Sequence, residues 1–145
     1  MEHRLLVASD GSENALRAAK FAAKLAAAAP NIKVTVIIVN DILDKIKYYS
    51  LRTPTVIGEV DAFFKEQAQE ALDLTLEIFS QKGVKATGVV KMGNPAKDIV
   101  DYAHAEGIKH IVIGSRGMGS LRGIVLGSVS SKVVQLADCP VTIVK

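Results

Sequence analysis

The sequence predicts an α/β fold: an open, doubly wound parallel sheet of five strands with helices on both faces. Short apolar runs rich in β-branched residues alternate along the chain with longer segments of helical periodicity. Strands joined by a helical crossover lie parallel in one sheet, so this alternation favours a parallel arrangement. The length of 145 residues suits one such unit, and we expect a single domain over residues 1-145.

The individual elements follow from local signals in chain order. Apolar and β-branched runs predict strands over His3–Ser9, Val34–Val39, Val84–Lys91, Lys109–Ile113 and Val141–Val144. Helical periodicity predicts helices over Ser12–Ala29, Glu59–Gln81, Pro95–Glu106 and Ser128–Leu136. Ser12 and Asn94 are suited to helix N-caps, and Gly83 and Gly107 are typical of helix ends. Between them, Asn40–Gly58 has no clear period, and we predict an irregular connector with a helical turn around Leu43–Tyr48.

A glycine- and serine-rich loop follows the fourth strand. Gly114-Ser-Arg-Gly117 is followed by nine residues and then by Gly127-Ser128-Val129-Ser130. Glycine lets a backbone approach a ligand closely, and a helix N-terminus offers unpaired N–H groups to an anion. A plain strand-to-helix turn takes roughly 2–6 residues, which is much shorter than this loop. The loop predicts a site for a nucleotide or another phosphate, and a simple connector is the alternative.

Further polar residues follow the other strands: Asp10, the pair Asn40-Asp41, and the pair Gly93-Asn94. In open parallel sheets, ligands bind beyond the carboxyl ends of the strands, where the strand order reverses. A carboxylate at Asp10 beside phosphates fits a hydrated Mg²⁺ between them, because two anions would otherwise repel each other. The alternative for Asp10 is an ordinary Asp-Gly turn.

Composition and missing motifs exclude several function classes. The net charge is +3, but the basic residues are scattered without aromatic stacking partners, so nucleic-acid binding is disfavoured. No apolar stretch is long enough for a membrane span, and the single Cys139 excludes an internal disulfide, so we expect a cytoplasmic protein. The chain lacks Gly-x4-Gly-Lys-Ser/Thr, and lacks Gly-x-Gly-x-x-Gly after the first strand. Beyond Asp10 and Arg116 the sequence offers no evident catalytic group, which favours binding with slow or no hydrolysis.

Four motifs together resemble the universal stress protein family. They are the spacing Gly-x2-Gly-x9-Gly-Ser, the opening Val7–Ser12, the turn Gly93-Asn94-Pro95 and the closing Cys139–Val144. The resemblance covers essentially the whole chain and implies the strand order 3-2-1-4-5. It also implies a cytoplasmic homodimer. In this strand order the short apolar strand Val141–Val144 forms a bare sheet edge, which favours pairing of two copies through it. The alternative is a monomer in which this strand is covered within its own subunit. Because the glycine pattern is intact, the chain resembles the branch of the family that binds ATP.

The resemblance also implies roles for individual residues. The residues at the end of the first strand would border the nucleotide, and they are Ala8, Ser9 and Asp10. Of these, Asp10 would lie close to the ribose and to metal-bound water. The base pocket would be lined by Val39, Met92 and Gly93. The ribose and phosphate side would be formed by Gly114, Arg116 and Gly117. The phosphate cradle would be formed by Gly127, Ser128, Val129 and Ser130.

Three functions follow from these expectations. The first is a sensor or regulator that holds ATP and Mg²⁺ with little or no hydrolysis. The second is a slow ATPase or phosphotransferase that uses the same pocket. The third is a dimeric interaction protein without a ligand, which the intact glycine–serine loop disfavours. The sequence does not separate the first two.

Overall fold

The computed structural model of the chain describes residues 2–41, 54–117 and 126–145, and of residues 54–57 and 60 only the backbone. In these ranges strands and helices alternate: β1 (His3–Ala8), α1 (Glu13–Ala28), β2 (Ile32–Asn40), α2 (Pro54–Gln81), β3 (Ala86–Met92), α3 (Pro95–Ala105), β4 (His110–Gly114), α4 (Ser128–Leu136) and β5 (Val141–Val144). None of the described helices has the length and hydropathy that a membrane span needs.

The five strands form one parallel sheet in the order β3-β2-β1-β4-β5, which confirms the predicted fold class. The central strand β1 pairs with β2 on one side and β4 on the other, so Val7 lies opposite both Val36 and Val112. From β1 the sheet is built outwards through β2 to β3 on one side. The chain then crosses over to β4, on the other side of β1, and continues to β5. The point of reversal therefore lies between the carboxyl ends of β1 and β4.

Both faces of the inner strands β1, β2 and β4 are covered, which explains why these strands are apolar on both sides. Along β1, Leu5 and Val7 pack with α1 and α2, whereas Leu6 and Ala8 pack with α3 and α4. The buried side of α1 is almost entirely alanine, and these small side chains let the helix lie close to the sheet. Each large apolar side chain buried in these two layers stabilises the fold by roughly 1.5–3 kcal/mol.

The helix boundaries follow the predicted caps. The side chains of Ser12 and Asn94 accept N-terminal hydrogen bonds in α1 and α3, each at 3.3 Å. At the end of α2, Gly83 takes a φ of +70°, its N–H donates to Ser80 O, and the N–H of Val84 donates to Phe79 O at 2.9 Å. This is the Schellman arrangement, in which glycine avoids the Cβ clash of the left-handed conformation.

Several predicted boundaries were wrong, most of all the start of α2. Helix α2 begins at Pro54, inside the predicted irregular connector, and not at Glu59. Proline is favoured in a first helical turn because a backbone N–H at that position would have no partner within the helix. Strand β3 begins at Ala86, and not at Val84, because the backbone of Val84 completes the end of α2. Asn40 closes β2. The turn predicted around Leu43–Tyr48 lies outside the described residues.

Candidate functional site

Polar side chains are buried at one end of the sheet. In the described part of the chain, the buried polar residues are Ser9, Asn14, Thr75, Ser115 and Ser130. They lie at or directly beneath the carboxyl ends of β1 and β4, where the strand order reverses. No buried side-chain nitrogen or oxygen within the described ranges lacks a hydrogen-bond partner. A satisfied polar network of this kind fixes local geometry, because each unpaired buried group would cost free energy.

The two ends of the glycine loop meet at Ser115. The backbone N–H of Ser115 donates to Val144 O at 2.8 Å, which anchors the loop start to β5. The carbonyl of Ser115 accepts two hydrogen bonds, from Gly127 N at 2.7 Å and from the Ser130 hydroxyl at 2.9 Å. The same hydroxyl lies 3.2 Å from Gly127 O. The loop therefore leaves and returns at one point of the sheet edge.

The first turn of α1 is bonded to Ser115, where the two ends of the loop meet. Asn14 is buried, and its Nδ2 donates to the Ser115 hydroxyl at 3.2 Å. Its Oδ1 accepts from the Arg17 guanidinium. A Cβ on Gly114 would lie 2.9 Å from the backbone of Asn14. Glycine at 114 is therefore needed for the packing of β4 against α1, whether or not a ligand binds.

The turn after β1 faces the start of the glycine loop. The Ser12 N–H donates to Asp10 Oδ1 at 2.9 Å, and the Gly11 N–H donates to the Ser9 hydroxyl at 3.1 Å. A Cβ on Gly117 would lie only 2.6 Å from Asp10 Oδ2. The structure thus brings Asp10 and Gly117 together across the reversal point. Glycine at 117 leaves room for the carboxylate.

Helix α4 begins without a side-chain cap. Its N-cap is Gly127, with φ −74° and ψ 172°, and no described side chain bonds to the first turn in the manner of Ser12 or Asn94. Ser128 is exposed, whereas Val129 packs against the core beneath α3 and α4. The hydroxyl of Ser130 is engaged with the loop ends. What this turn presents outward is therefore backbone N–H groups and the Ser128 side chain, an arrangement that suits an anion.

The predicted base-side residues lie at the same sheet edge but on neighbouring strands. Val39 and Met92 are half-buried near the ends of β2 and β3. The Gly93 N–H donates to Asn40 O at 2.8 Å, which closes these two strand ends together. A Cβ on Gly93 would clash with the carboxylate of Asp98. Asp98 was not predicted from the sequence, although it lies in the first turn of α3.

The structure thus gathers most predicted site residues at the β1–β4 reversal: Ala8, Ser9, Asp10, Gly114, Arg116, Gly117, Gly127, Ser128, Val129 and Ser130. Arg116 is half-buried, and its Cα would lie 3.5 Å from a Cβ on Gly127. Sequence reasoning missed Asn14 and Thr75. The one signal for Asn14 was a polar residue at a buried position of a helix face that is otherwise alanine.

With the described residues alone, this edge would need a ligand to hold a cation. Within the described ranges, no three His, Cys, Asp or Glu side chains are arranged to bind a metal. Asp10 would supply one carboxylate, and water and phosphate oxygens would supply the rest, which is a common arrangement for Mg²⁺. The donor set therefore fits Mg²⁺ carried by a polyphosphate rather than a metal bound by the protein alone.

Other reactive groups lie away from this edge. Burial raises the pKa of the Cys139 thiol, and the charge of Asp138 raises it further, so the thiol stays protonated and is a poor nucleophile. An open groove of about 1260 Å³ lies at the opposite, amino edge of the sheet. Two of its basic residues, Arg4 and Lys33, already pair with Glu2. None of the predicted site residues lines that groove.

Comparisons with known proteins agree over the whole chain. Residues 1–145 match the family model described as the universal stress protein family. The chain is 33% identical to universal stress protein YxiE of Bacillus subtilis, with 100% of both chains covered. It is similar in structure to the universal stress protein UspA from Lactobacillus plantarum, with a TM-score of 0.83, 25% identity, and 99% and 97% of the two chains covered. It is also similar to the universal stress protein from Archaeoglobus fulgidus in complex with dAMP, with a TM-score of 0.69, 25% identity, and 100% and 98% covered.

Proposed function

The chain belongs to the universal stress protein family, and we propose that it is an ATP-binding sensor or regulator of the stress response. In this proposal one domain holds ATP with Mg²⁺ at the carboxyl edge of the sheet. The observation that carries the proposal is the pairing of a closed glycine loop with the uncapped start of α4, both beside Asp10. The dAMP complex of the Archaeoglobus fulgidus protein supports an adenine nucleotide as the ligand.

The phosphates would bind at the start of α4. Backbone N–H groups of Ser128, Val129 and Ser130, with the hydroxyl of Ser128, would donate to phosphate oxygens, and the helix dipole would favour their charge. Gly127 would let the ligand approach the backbone. On the other side of the loop, Gly114 and Gly117 would border the ribose and phosphates. Arg116 would add a positive charge that is suited to phosphate oxygens.

Asp10 would orient Mg²⁺ against the phosphates. One of its oxygens accepts the Ser12 N–H, and the other lies on the side of Gly117, towards the loop. Bound Mg²⁺ would neutralise part of the phosphate charge. Ala8 and Ser9 would border the nucleotide through their backbone, because the Ser9 hydroxyl is engaged within the protein.

The adenine would lie towards β2 and β3. Val39, Met92 and Gly93 are at the correct edge, and the bond between Gly93 and Asn40 holds the ends of these strands together. Partly apolar surroundings of this kind suit a flat base, with a few backbone groups fixing its orientation.

We propose binding with little or no hydrolysis. Rapid hydrolysis needs groups that stabilise the transition state more than the ground state. Asp10 already accepts a turn N–H, which makes it better suited to holding a cation than to activating a water. The second candidate is a slow ATPase or phosphotransferase in the same pocket. It is favoured by the positions of Asp10 beside Gly117 and of Arg116 beside Gly127.

We also propose a cytoplasmic homodimer that pairs through β5. This strand lies at the sheet edge, and its residues are all half-buried within one chain. A two-fold contact between two such edges would close both of them and stop further growth.

One experiment tests the proposed function and its alternative together. Purified protein is mixed with ATP and Mg²⁺, and bound nucleotide and released phosphate are followed in the same sample. Stoichiometric binding with negligible phosphate release supports a sensor. Multiple turnovers would support the ATPase, and absence of binding would favour a ligand-free interaction protein.

A further inference from the structure

A continuous chain of hydrogen bonds connects the interior of α2 to the turn that carries Asp10. The hydroxyl of Thr75 donates to Ala71 O at 2.7 Å, within the helix. The hydroxyls of Thr75 and Ser9 lie 2.9 Å apart, although their positions in the sequence differ by 66. The Gly11 N–H in turn reaches the Ser9 hydroxyl at 3.1 Å.

The direction of each bond follows from the number of hydrogens available. A hydroxyl has one hydrogen, and that of Thr75 points to the carbonyl of Ala71. The Ser9 hydroxyl must therefore donate to Thr75, which leaves its lone pairs to accept the Gly11 N–H. The series of hydrogen bonds runs from the Gly11 N–H through Ser9 and Thr75 to Ala71 O. Successive hydrogen bonds of this kind polarise and strengthen one another.

These hydrogen bonds hold the turn in a conformation that glycine adopts more readily than other residues. Gly11 has a φ of +79°, and a Cβ on it would lie 3.0 Å from Ala71 Cβ. Helix α2 therefore holds the turn at two points, by packing at Ala71 and by a hydrogen bond at Thr75. Asp10 lies between the residues that are held, with its own side chain bonded to Ser12.

We infer that Thr75 is a positioning residue that sets the direction of the Asp10 carboxylate towards the cation carried by the nucleotide. Thr75 is fully buried, so its side chain would not contact the ligand itself. It acts by holding Ser9, which holds the Gly11 N–H and thereby the backbone on either side of Asp10. The inference rests on the proposed function, and it adds a control on cation binding from a helix outside the glycine loop.

The test compares ATP affinity in EDTA and in Mg²⁺ for the wild type and three variants. Thr75→Val keeps the shape but removes the hydroxyl, Thr75→Ala removes the hydroxyl together with the γ-methyl group, and Thr75→Ser is the control that retains a hydroxyl. Isothermal titration calorimetry gives the ratio of the two dissociation constants. Amide exchange of Gly11, followed by NMR without nucleotide, reports on the turn directly.

We expect Mg²⁺ to strengthen ATP binding by the wild type and by Thr75→Ser to the same degree. In Thr75→Val and Thr75→Ala this Mg²⁺-dependent gain should fall about threefold to tenfold, as expected for one lost hydrogen bond. The affinity in EDTA should stay the same, and Gly11 should exchange faster. A merely structural role for Thr75 would alter both affinities equally.

The inference is overturned if folded Thr75→Val keeps the full Mg²⁺-dependent gain, or if Mg²⁺ has no effect on ATP binding by the wild type. If Thr75→Val does not fold, Thr75→Ala decides by the same criterion. A wild type that binds no ATP in either buffer would instead overturn the proposed function.

Discussion

The backbone N–H of Gly127 donates a 2.7 Å hydrogen bond to the carbonyl of Ser115, and this bond closes the glycine loop at its base. The bond joins two backbone groups of the protein itself, and the Ser130 hydroxyl donates to the same carbonyl. Ser128, by contrast, is exposed at the start of α4. Folding and ligand binding can therefore be separated by substitutions around this bond.

Ser128 and Ser130 should differ in effect although they are two residues apart. Ser130→Ala removes the hydroxyl that donates to Ser115 O, and should lower the free energy of unfolding by about 1 kcal/mol. Ser128 is exposed, so Ser128→Ala should leave the stability unchanged and weaken ATP binding by roughly 0.5–1.5 kcal/mol. Urea unfolding and calorimetric titration of both variants check this. Equal losses of stability in the two variants would contradict the assignment.

Turnover of ATP should be slow. We expect a rate far below the ~1–100 s⁻¹ of kinases, because binding groups rather than catalytic groups surround the proposed phosphate position. The measurement is phosphate release from repurified protein, with Asp10→Asn as the matched variant. Steady turnover above ~1 s⁻¹ that disappears in Asp10→Asn would establish the enzyme instead.

The alternating direction of the backbone groups of β5 identifies which of them would form hydrogen bonds to a second copy of the chain. The carbonyls of Pro140 and Val144 accept hydrogen bonds from β4. Because backbone groups alternate in direction along a strand, the N–H of Ile143 points to the open edge. Ile143→Pro should therefore convert a dimer to monomers.

The control for this substitution is Ile143→Ala, which also removes the side chain but keeps the N–H, and which should remain dimeric. Light scattering at micromolar concentration measures both variants. A monomeric wild type would show that β5 does not form the proposed interface.

Stability should depend on pH through His110. Burial of the ring and the nearby charge of His3 lower the pKa of His110 in the folded protein below its ordinary value of 6.5. Below that value the unfolded chain binds more protons than the folded one, so stability falls as the pH drops from 6.5 towards the lowered pKa. Above it, His110 contributes no pH dependence.

Urea unfolding at a series of pH values checks this for the wild type and for His110→Gln. Gln can still bond to the Thr142 hydroxyl, which lies 2.6 Å from His110 Nε2 in the wild type. The variant should lose less stability on acidification. An identical loss in both proteins would assign the effect to other groups.

The strand order and the position of the site could be predicted because they rest on local patterns and on one family resemblance. Apolar runs such as Leu5–Ala8 indicate a strand covered on both faces, and glycine spacing indicates a close backbone approach. The start of α2 at Pro54 could not be predicted in this way, because apolar periodicity is lost before Glu59 and proline is found in turns as well as in first helical turns.

The supporting polar network could not be predicted in the same way. Thr75 fits the apolar face of α2 by spacing alone, and nothing near it in sequence indicates a bond to Ser9. Asn14 likewise meets Ser115 across 101 positions of the chain. Such partners are set by the sheet topology, so they become visible only when the strands and helices are assembled. The role of Ser130 in closing the loop has the same origin.

The most direct test of the account is the effect of Gly127→Ala on nucleotide binding. A Cβ at this position would meet protein atoms only at ordinary contact distances of 3.5–3.7 Å, and φ is negative, so the variant should fold. We predict normal circular dichroism and strongly weakened Mg²⁺-ATP binding by calorimetry, with Gln135→Ala at the exposed end of α4 binding like the wild type. A folded Gly127→Ala protein with wild-type affinity, or a wild type that binds no adenine nucleotide, would contradict the account.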